Sequence, residues 1–197
     1  MMLTVVHILF LLLCIYLSIN ILYLFIVSVF GLFNQKTSFH FFATKKKIAV
    51  LVTSYKEDKI IEATIGAAVN HNYPTEFFDV FLAADQTKSE TINRLGNYRA
   101  RISEVNFTSG SKARSLNYLL NSIDENKYDI ALVLDGDNIM EAGFLEKINS
   151  AFQNGAHAVQ GHRTAKNLDT AVAILDGISE EINNHLFRKA QNNLGFS

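Results

Sequence analysis

The chain has few of the residues that tie small extracellular domains together: its 197 residues include one cysteine, one proline and no tryptophan. Cys14 has no partner for an intrachain disulfide, so stability must come from a packed core and nothing points to an oxidising compartment. No internal repeat or low-complexity tract interrupts the chain. Neither sign of charge dominates, because 18 Lys and Arg stand against 19 Asp and Glu for a net charge of -1. That balance removes the basic face on which nucleic-acid binding depends, so no nucleic-acid partner is expected. At about 150 residues per domain, the length allows one soluble domain and no second large one. The sharpest absence is local: no Asp, Glu, Lys or Arg occurs before Lys36.

What fills that uncharged stretch is hydrocarbon. Residues 3–33 are Leu, Ile, Val, Phe and Tyr, broken only by Thr4, His7, Cys14, Ser18, Asn20, Ser28 and Gly31. As a helix, about 30 residues span ~45 Å against a hydrocarbon core of ~30 Å, enough for one tilted crossing. A secretory signal would have a basic start, a short apolar core and a small-residue cleavage site, and none is evident. Residues 1–34 are therefore read as an uncleaved anchor, with membrane as a partner. Lys36, Lys45, Lys46 and Lys47 follow it, and no basic side chain precedes it, which predicts a cytosolic soluble part. His7 and Asn20 are read as helix-helix or interfacial polar residues. Residues 35–47 form a basic linker whose Phe39, Phe41 and Phe42 suit the lipid interface. The sequon Asn106-Phe107-Thr108 is then on the side where glycosylation does not act.

Beyond the linker, strand and helix patterns alternate. Strands are predicted at 48–53, 77–84, 102–107, 128–134 and 156–161, and helices at 57–70, 90–97, 112–123, 143–152 and 168–191. A turn at 72–75 stops the first helix. The short apolar run at 48–53 has the composition of a strand buried on both faces. Such alternation implies an α/β fold, a mostly parallel Rossmann-like sheet flanked by helices, over residues 48–197. Ligands of these sheets bind beyond the carboxyl ends of the strands, which directs attention to residues 53–57, Asp85, Lys112 and Asp135-Gly136-Asp137.

Asp135 and Asp137 follow the apolar run 130–134. If the chain stays extended there, residues two apart face one side. Two hard oxygen donors can hold Mg²⁺ or Mn²⁺, with water and phosphate oxygens completing the shell. A cation so placed would offset the charge of a departing diphosphate.

Four segments, in order, resemble family 2 glycosyltransferases, the membrane-associated enzymes that include cellulose, hyaluronan and poly-N-acetylglucosamine synthases. Residues 50–57 (VLVTSYKE) are similar to the family's first strand and P-x-Y-N-E loop, and residues 80–85 (VFLAAD) to the strand whose final Asp holds the nucleotide base. Residues 112–117 (KARSLN) resemble the K-A-x-A-L-N helix start, and residues 134–137 (LDGD) the D-x-D. Thr53 stands where the family has Pro, Lys56 replaces Asn, and Ser111 takes the place of Gly before Lys112.

The resemblance, which covers about residues 47–197, implies a GT-A-like fold and inverting transfer from a nucleotide-diphosphate sugar, a UDP-sugar by analogy, to a saccharide or lipid acceptor. It implies that Thr53, Tyr55 and Glu57 line the nucleotide pocket and that Asp85 accepts from the base. Lys112 would approach the sugar or phosphates, Asp135 the ribose or sugar, and Asp137, with Asp135, the Mg²⁺ or Mn²⁺. Family members continue into an acceptor region with a general-base Asp and, in processive enzymes, a Q-x-x-R-W motif; residues 191–197 resemble only the approach to it. The expectation is thus the donor half of such an enzyme, with the base beyond Ser197. Asp169, Asp176, Glu180 and Glu181 are read as solvated helix-face acids.

Two alternatives carry different chemistry. One is a membrane-anchored nucleotide-binding scaffold without catalysis. The other is a haloacid dehalogenase-like phosphatase, whose D-x-D-x-[TV] loop Asp135-Gly136-Asp137-Asn138-Ile139 imitates, although that loop closes the first strand of its domain. No H-E-x-x-H, P-loop or EF-hand spacing is present, and His157 and His162 are read as strand-surface residues.

Overall fold

A computed structural model describes residues 2–33 and 41–196. Lys36 and Phe39, given interfacial and orienting roles above, lie outside the described residues. The chain forms two compact units, one of residues 39–159 and one joining residues 1–38 with 160–197.

In the larger unit, four parallel strands are ordered β3-β2-β1-β4: β1 Ile48–Tyr55, β2 Phe78–Asp85, β3 Ala100–Val105 and β4 Ile130–Asp135. β1 lies between β2 and β4, and its first seven residues are buried. This is why its sequence is continuously apolar rather than alternating. Edge strand β4 alternates instead, with Ile130, Leu132 and Leu134 buried and Val133 47% exposed.

The pleat sorts the side chains into two layers. Ile48, Val50, Val52, Val80 and Leu82 face the larger core, joined by Ile61 and Ile65 of α2 (Ile61–Val69), Leu95 of α3 (Ser89–Leu95), and Leu145 and Ile148 of α5 (Phe144–Gln153). Ala49, Leu51, Phe81 and Ala83 face the other way, against Leu119 of α4 (Lys112–Ser122). Among the described residues α4 is the helix on that side, and its first residue, Lys112, reaches Asp135 at the end of β4.

In the smaller unit, α1 runs from Met2 to Gly31, uncharged throughout and exposed over nearly all its length. It is long and apolar enough to cross a membrane. A second helical stretch comprises α6 (Ala171–Asn183), a π-helical segment (Asn184–Lys189) and α7 (Ala190–Asn193).

Three expectations change. Residues 156–161 form no strand, and 157–160 are exposed, because among the described residues no neighbour supplies the ladder of hydrogen bonds that a strand requires. His157 and His162 are consequently exposed loop residues, and the His162 ring nitrogen lies 3.1 Å from Glu181 Oε1. The helix predicted from residue 57 starts at Ile61, since the Glu57 carbonyl accepts from both Ile60 and Ile61 N–H in a preceding turn. The helix predicted from 168 starts at Ala171, capped by Thr170 Oγ1 accepting from Ala173 N–H, so Asp169 lies before it.

Candidate functional site

The carboxyl ends of β1, β2 and β4 are in register, pairing Tyr55 with Asp85 and Thr53 with Asp135. The register brings residues 30 and 82 positions apart in sequence onto one edge of the sheet. Both inner strands end in a left-handed residue, Lys56 at φ 56° and Gln86 at φ 52°. Neither is glycine, and such backbone persists only where its surroundings hold it. Here the ladder does so: Lys56 N–H donates to Asp85 O and Gln86 N–H to Val105 O, both at 3.1 Å. The two strands thus turn away from the sheet together, leaving Tyr55 half-exposed and Asp85 buried beside it.

Asp85 is fully buried. Its Oδ1 accepts from Phe107 N–H at 3.1 Å, while Oδ2 has no hydrogen-bond partner. A buried carboxylate oxygen without a donor is costly and marks a position suited to an incoming N–H. Gln86, missed in the sequence, braces the same loop by donating from Nε2 to Phe107 O at 2.7 Å. Tyr55 is 44% exposed, with the Lys56 ammonium 4.9 Å from its ring centroid. A β-carbon at Gly110 would come within 2.5 Å of that ring, so Gly110 is what lets Tyr55 lie over the loop before α4.

The β4 end is open and polar. Asp135 ends the strand, and Asn138 N–H closes a turn onto its carbonyl at 3.1 Å. This corrects the extended-chain expectation for Asp135 and Asp137: the backbone turns between them. Gly136 N–H donates to Thr53 O at 3.1 Å, and the Gly136 carbonyl accepts from the buried Thr64 hydroxyl of α2 at 2.7 Å. A β-carbon at Gly136 would overlap Glu57 Oε2 and sit 3.0 Å from Thr53 O, so only glycine fits between the acids. Thr64 was legible as a hydroxyl on the apolar stripe of Ile61, Ile65 and Ala68, although its acceptor was not.

Lys112, the first residue of α4, forms an ion pair with Asp135 Oδ1, and Asn138 Nδ2 reaches Asp135 Oδ2 at 3.3 Å. Glu57 Oε2 is buried without a partner. Burial holds the Glu57 carboxyl above the usual range; the Ser54 hydroxyl opposes this, and the charges of Asp137 and Asp135 add to it. Glu57 therefore senses both acids, and Thr53, Glu57, Lys112, Asp135 and Asp137 form one group, with Tyr55 and Asp85 beside it on the same edge.

The late acids belong to the smaller unit. Glu180 pairs with Arg188 at 2.8 Å and Arg163 at 3.8 Å, and the Arg188 guanidinium holds its carboxyl below the usual range. Glu180 is thus an ion-paired, partly buried acid rather than the solvated helix-face acid expected from the sequence.

Among the described residues no group of three His, Cys, Asp or Glu gathers at metal-binding distance. Two carboxylates are nevertheless the protein share that Mg²⁺ or Mn²⁺ usually takes when substrate phosphates and water supply the rest. The donor set at Asp135 and Asp137 fits such a cation.

A parallel α/β sheet puts its ligand edge at the carboxyl ends of its strands, and here that edge is acidic. Residues 45–194 match the family described as "Glycosyltransferase like family 2", and the chain belongs to that family. This displaces the phosphatase alternative, in keeping with Asp135 ending the fourth strand in chain order rather than the first.

Among solved structures, the chain is similar to a mannosyltransferase of Pyrobaculum calidifontis in complex with GDP-Man and Mn²⁺, with TM-score 0.56 and 17% identity over 72% of this chain and 42% of that one. It is also similar, at TM-score 0.48, to S. aureus TarS 1-349 in complex with UDP-GlcNAc, with 16% identity over 61% of this chain and 38% of that one. The chain thus spans less than half of either structure. No curated protein matches it. The mannosyltransferase likeness shows a GT-A-like fold.

Proposed function

We propose that the chain is the donor-binding half of an inverting glycosyltransferase that takes a nucleotide-diphosphate sugar, with UDP favoured, toward a saccharide or lipid acceptor. The observation that carries the reading is Asp85: a buried carboxylate with one oxygen unpartnered, at the end of β2 and in register with Tyr55. That oxygen accepts an N–H of the base, and the Tyr55 ring supplies a flat apolar wall. Thr53 and Glu57 shape the floor between the nucleoside and the sugar. Lys112 brings a positive charge toward the diphosphate, and Asp135 orients ribose or sugar hydroxyls. Asp137, with Asp135, would hold Mg²⁺ or Mn²⁺, which offsets the charge of the leaving diphosphate when bound.

Residues 1–34 serve as the membrane anchor and 35–47 as the linker in this reading, with 48–197 as the donor-binding part. The Lys45-Lys46-Lys47 run supports a cytosolic side for that part. The general base is assigned to none of these residues, so the reading predicts donor binding with little or no transfer. The GDP-Man complex of the similar mannosyltransferase supports a nucleotide-sugar donor in general without choosing its base.

The test is equilibrium binding of UDP, GDP, UDP-GlcNAc and GDP-mannose to detergent-purified chain in Mn²⁺. Saturable binding of one nucleotide class, shared by its sugar conjugate, supports the reading. Equal, weak binding of all four favours the non-catalytic scaffold, and full turnover onto an acceptor by this chain alone contradicts the donor-half assignment.

A further inference from the structure

The smaller unit contains an apolar surface that the donor-site reading does not use. On α6, Leu175, Ile178 and Ile182 recur at helical spacing and are 67%, 52% and 51% exposed. Leu168, just before the helix, is 61% exposed, and a groove of about 710 Å³ runs between this face and Ser28 of α1. Asp176 and Glu180 lie on the other side of the helix, so the stripe is one face of an amphipathic element.

The position of this face is fixed by α1. The π-helical segment that continues α6 hydrogen-bonds to the last turns of α1, His185 Nε2 lying 3.0 Å from Ser28 O. Asn193 Nδ2 then donates to the Phe30 and Phe33 carbonyls, each at 2.8 Å. A β-carbon at Gly31 would come within 2.5 Å of the His185 ring, so the packing is close enough to require glycine. If α1 crosses a bilayer, its final turns leave the hydrocarbon at this level. Whatever is fastened to them lies at the membrane surface.

We propose that α6 is an interfacial helix, its Leu175-Ile178-Ile182 face covered by the hydrocarbon of the bilayer that α1 crosses. The proposal rests on α1 spanning the membrane. The occupant is lipid because α6 runs on into the segment fastened to the last turns of α1 and because the charges around it balance. Arg163, Lys166, Arg188 and Lys189 stand against Asp169, Asp176, Glu180 and Glu181, which leaves no net attraction for an acidic or a basic partner. Docking by apolar insertion alone also predicts indifference to anionic lipid.

The lone cysteine makes the test direct. Spin-labelled Cys14 in the full chain, reconstituted into phosphatidylcholine vesicles, reports on α1. In a Cys14→Ser background, Ile178→Cys and Asp176→Cys report on the two faces of α6. The expected result is a high oxygen-to-nickel accessibility ratio at Cys14, a raised ratio at 178 equivalent to a depth of ~5–10 Å, and an aqueous ratio at 176. Replacing part of the lipid with phosphatidylserine should leave 178 unchanged.

Lipid exposure at 14 with aqueous exposure at 178 overturns the proposal and leaves the anchor intact. A label at 178 immobilised and shielded from both reagents overturns it in favour of a protein partner or a second copy. Aqueous exposure at 14 overturns the anchor reading itself.

Discussion

The two acidic ends of the central sheet are built in opposite ways. Asp85 at the end of β2 is wholly enclosed, with one oxygen on a backbone N–H and the other without a donor. At the end of β4 Asp137 is exposed and Asp135 half-buried, and Asp135 is already engaged by Lys112 and Asn138. An enclosed carboxylate suits recognition of one well-defined N–H, because any poorer fit leaves it unpaired in a low dielectric. Carboxylates within reach of solvent, beside an exposed lysine, suit charge that arrives and leaves, such as a hydrated cation with a diphosphate. The contrast follows from the topology, since β2 is interior and β4 is an edge.

The largest effect that would break this comparison is at Asp85. Asp85→Asn keeps the shape and the bond from Phe107 N–H, and should weaken nucleotide binding by roughly 10–100-fold, the ~1.5–3 kcal/mol of a hydrogen bond to a charged group. Asp85→Leu should also lower folding stability by ~1–3 kcal/mol, because Phe107 N–H loses its acceptor. Calorimetric titration with denaturant melts reads both, and unchanged affinity in Asp85→Asn would remove the enclosed acid from recognition.

Next is Gly136→Ala, which forces the Glu57 carboxylate aside and crowds the Thr53 carbonyl. Overpacking of this kind costs ~1–3 kcal/mol, seen as a lowered denaturation midpoint. A restored midpoint in Gly136→Ala/Glu57→Ala would identify the Glu57 overlap as the cause.

A smaller, pH-dependent effect belongs to Glu57. Its carboxyl titrates higher folded than unfolded, so the stability it contributes is present below the unfolded pKa and lost as pH rises through the folded one. Glu57→Gln, neutral throughout, should therefore be more stable than the parent at pH 7, and the margin should close by about pH 4. An equal margin at both pH values would assign the effect to shape. The smallest change is expected at Lys112, whose side chain is 58% exposed. Lys112→Met should shift stability by no more than ~1 kcal/mol while weakening diphosphate binding, which the same titrations with UDP and uridine distinguish.

Much of the architecture was legible because it is local. The apolar run before β1's end, the D-x-D after β4 and the uncharged first helix each carry their own pattern. The misplaced strand at 156–161 shows where that stops: pairing is non-local, and no residue in the segment encodes whether a neighbour exists. The break of the 168–191 helix into a π-helical segment was likewise invisible, because it arises where His185 closes onto Gly31 and Ser28. The site residues could be named from motif order. The orphaned oxygen of Asp85, the hydroxyl of Thr64 beneath Gly136 and the burial of Glu57 depend on what other strands and helices bring alongside.

The most direct measurement is titration of UDP into the purified chain with and without Mn²⁺, alongside Asp137→Ala. Binding that requires Mn²⁺ and falls by roughly 10–100-fold in the variant, the scale on which metal sites respond to loss of a supporting group, is the predicted result. Binding that ignores both the metal and the substitution, or no binding of the parent under either condition, would contradict a donor site at the β4 edge.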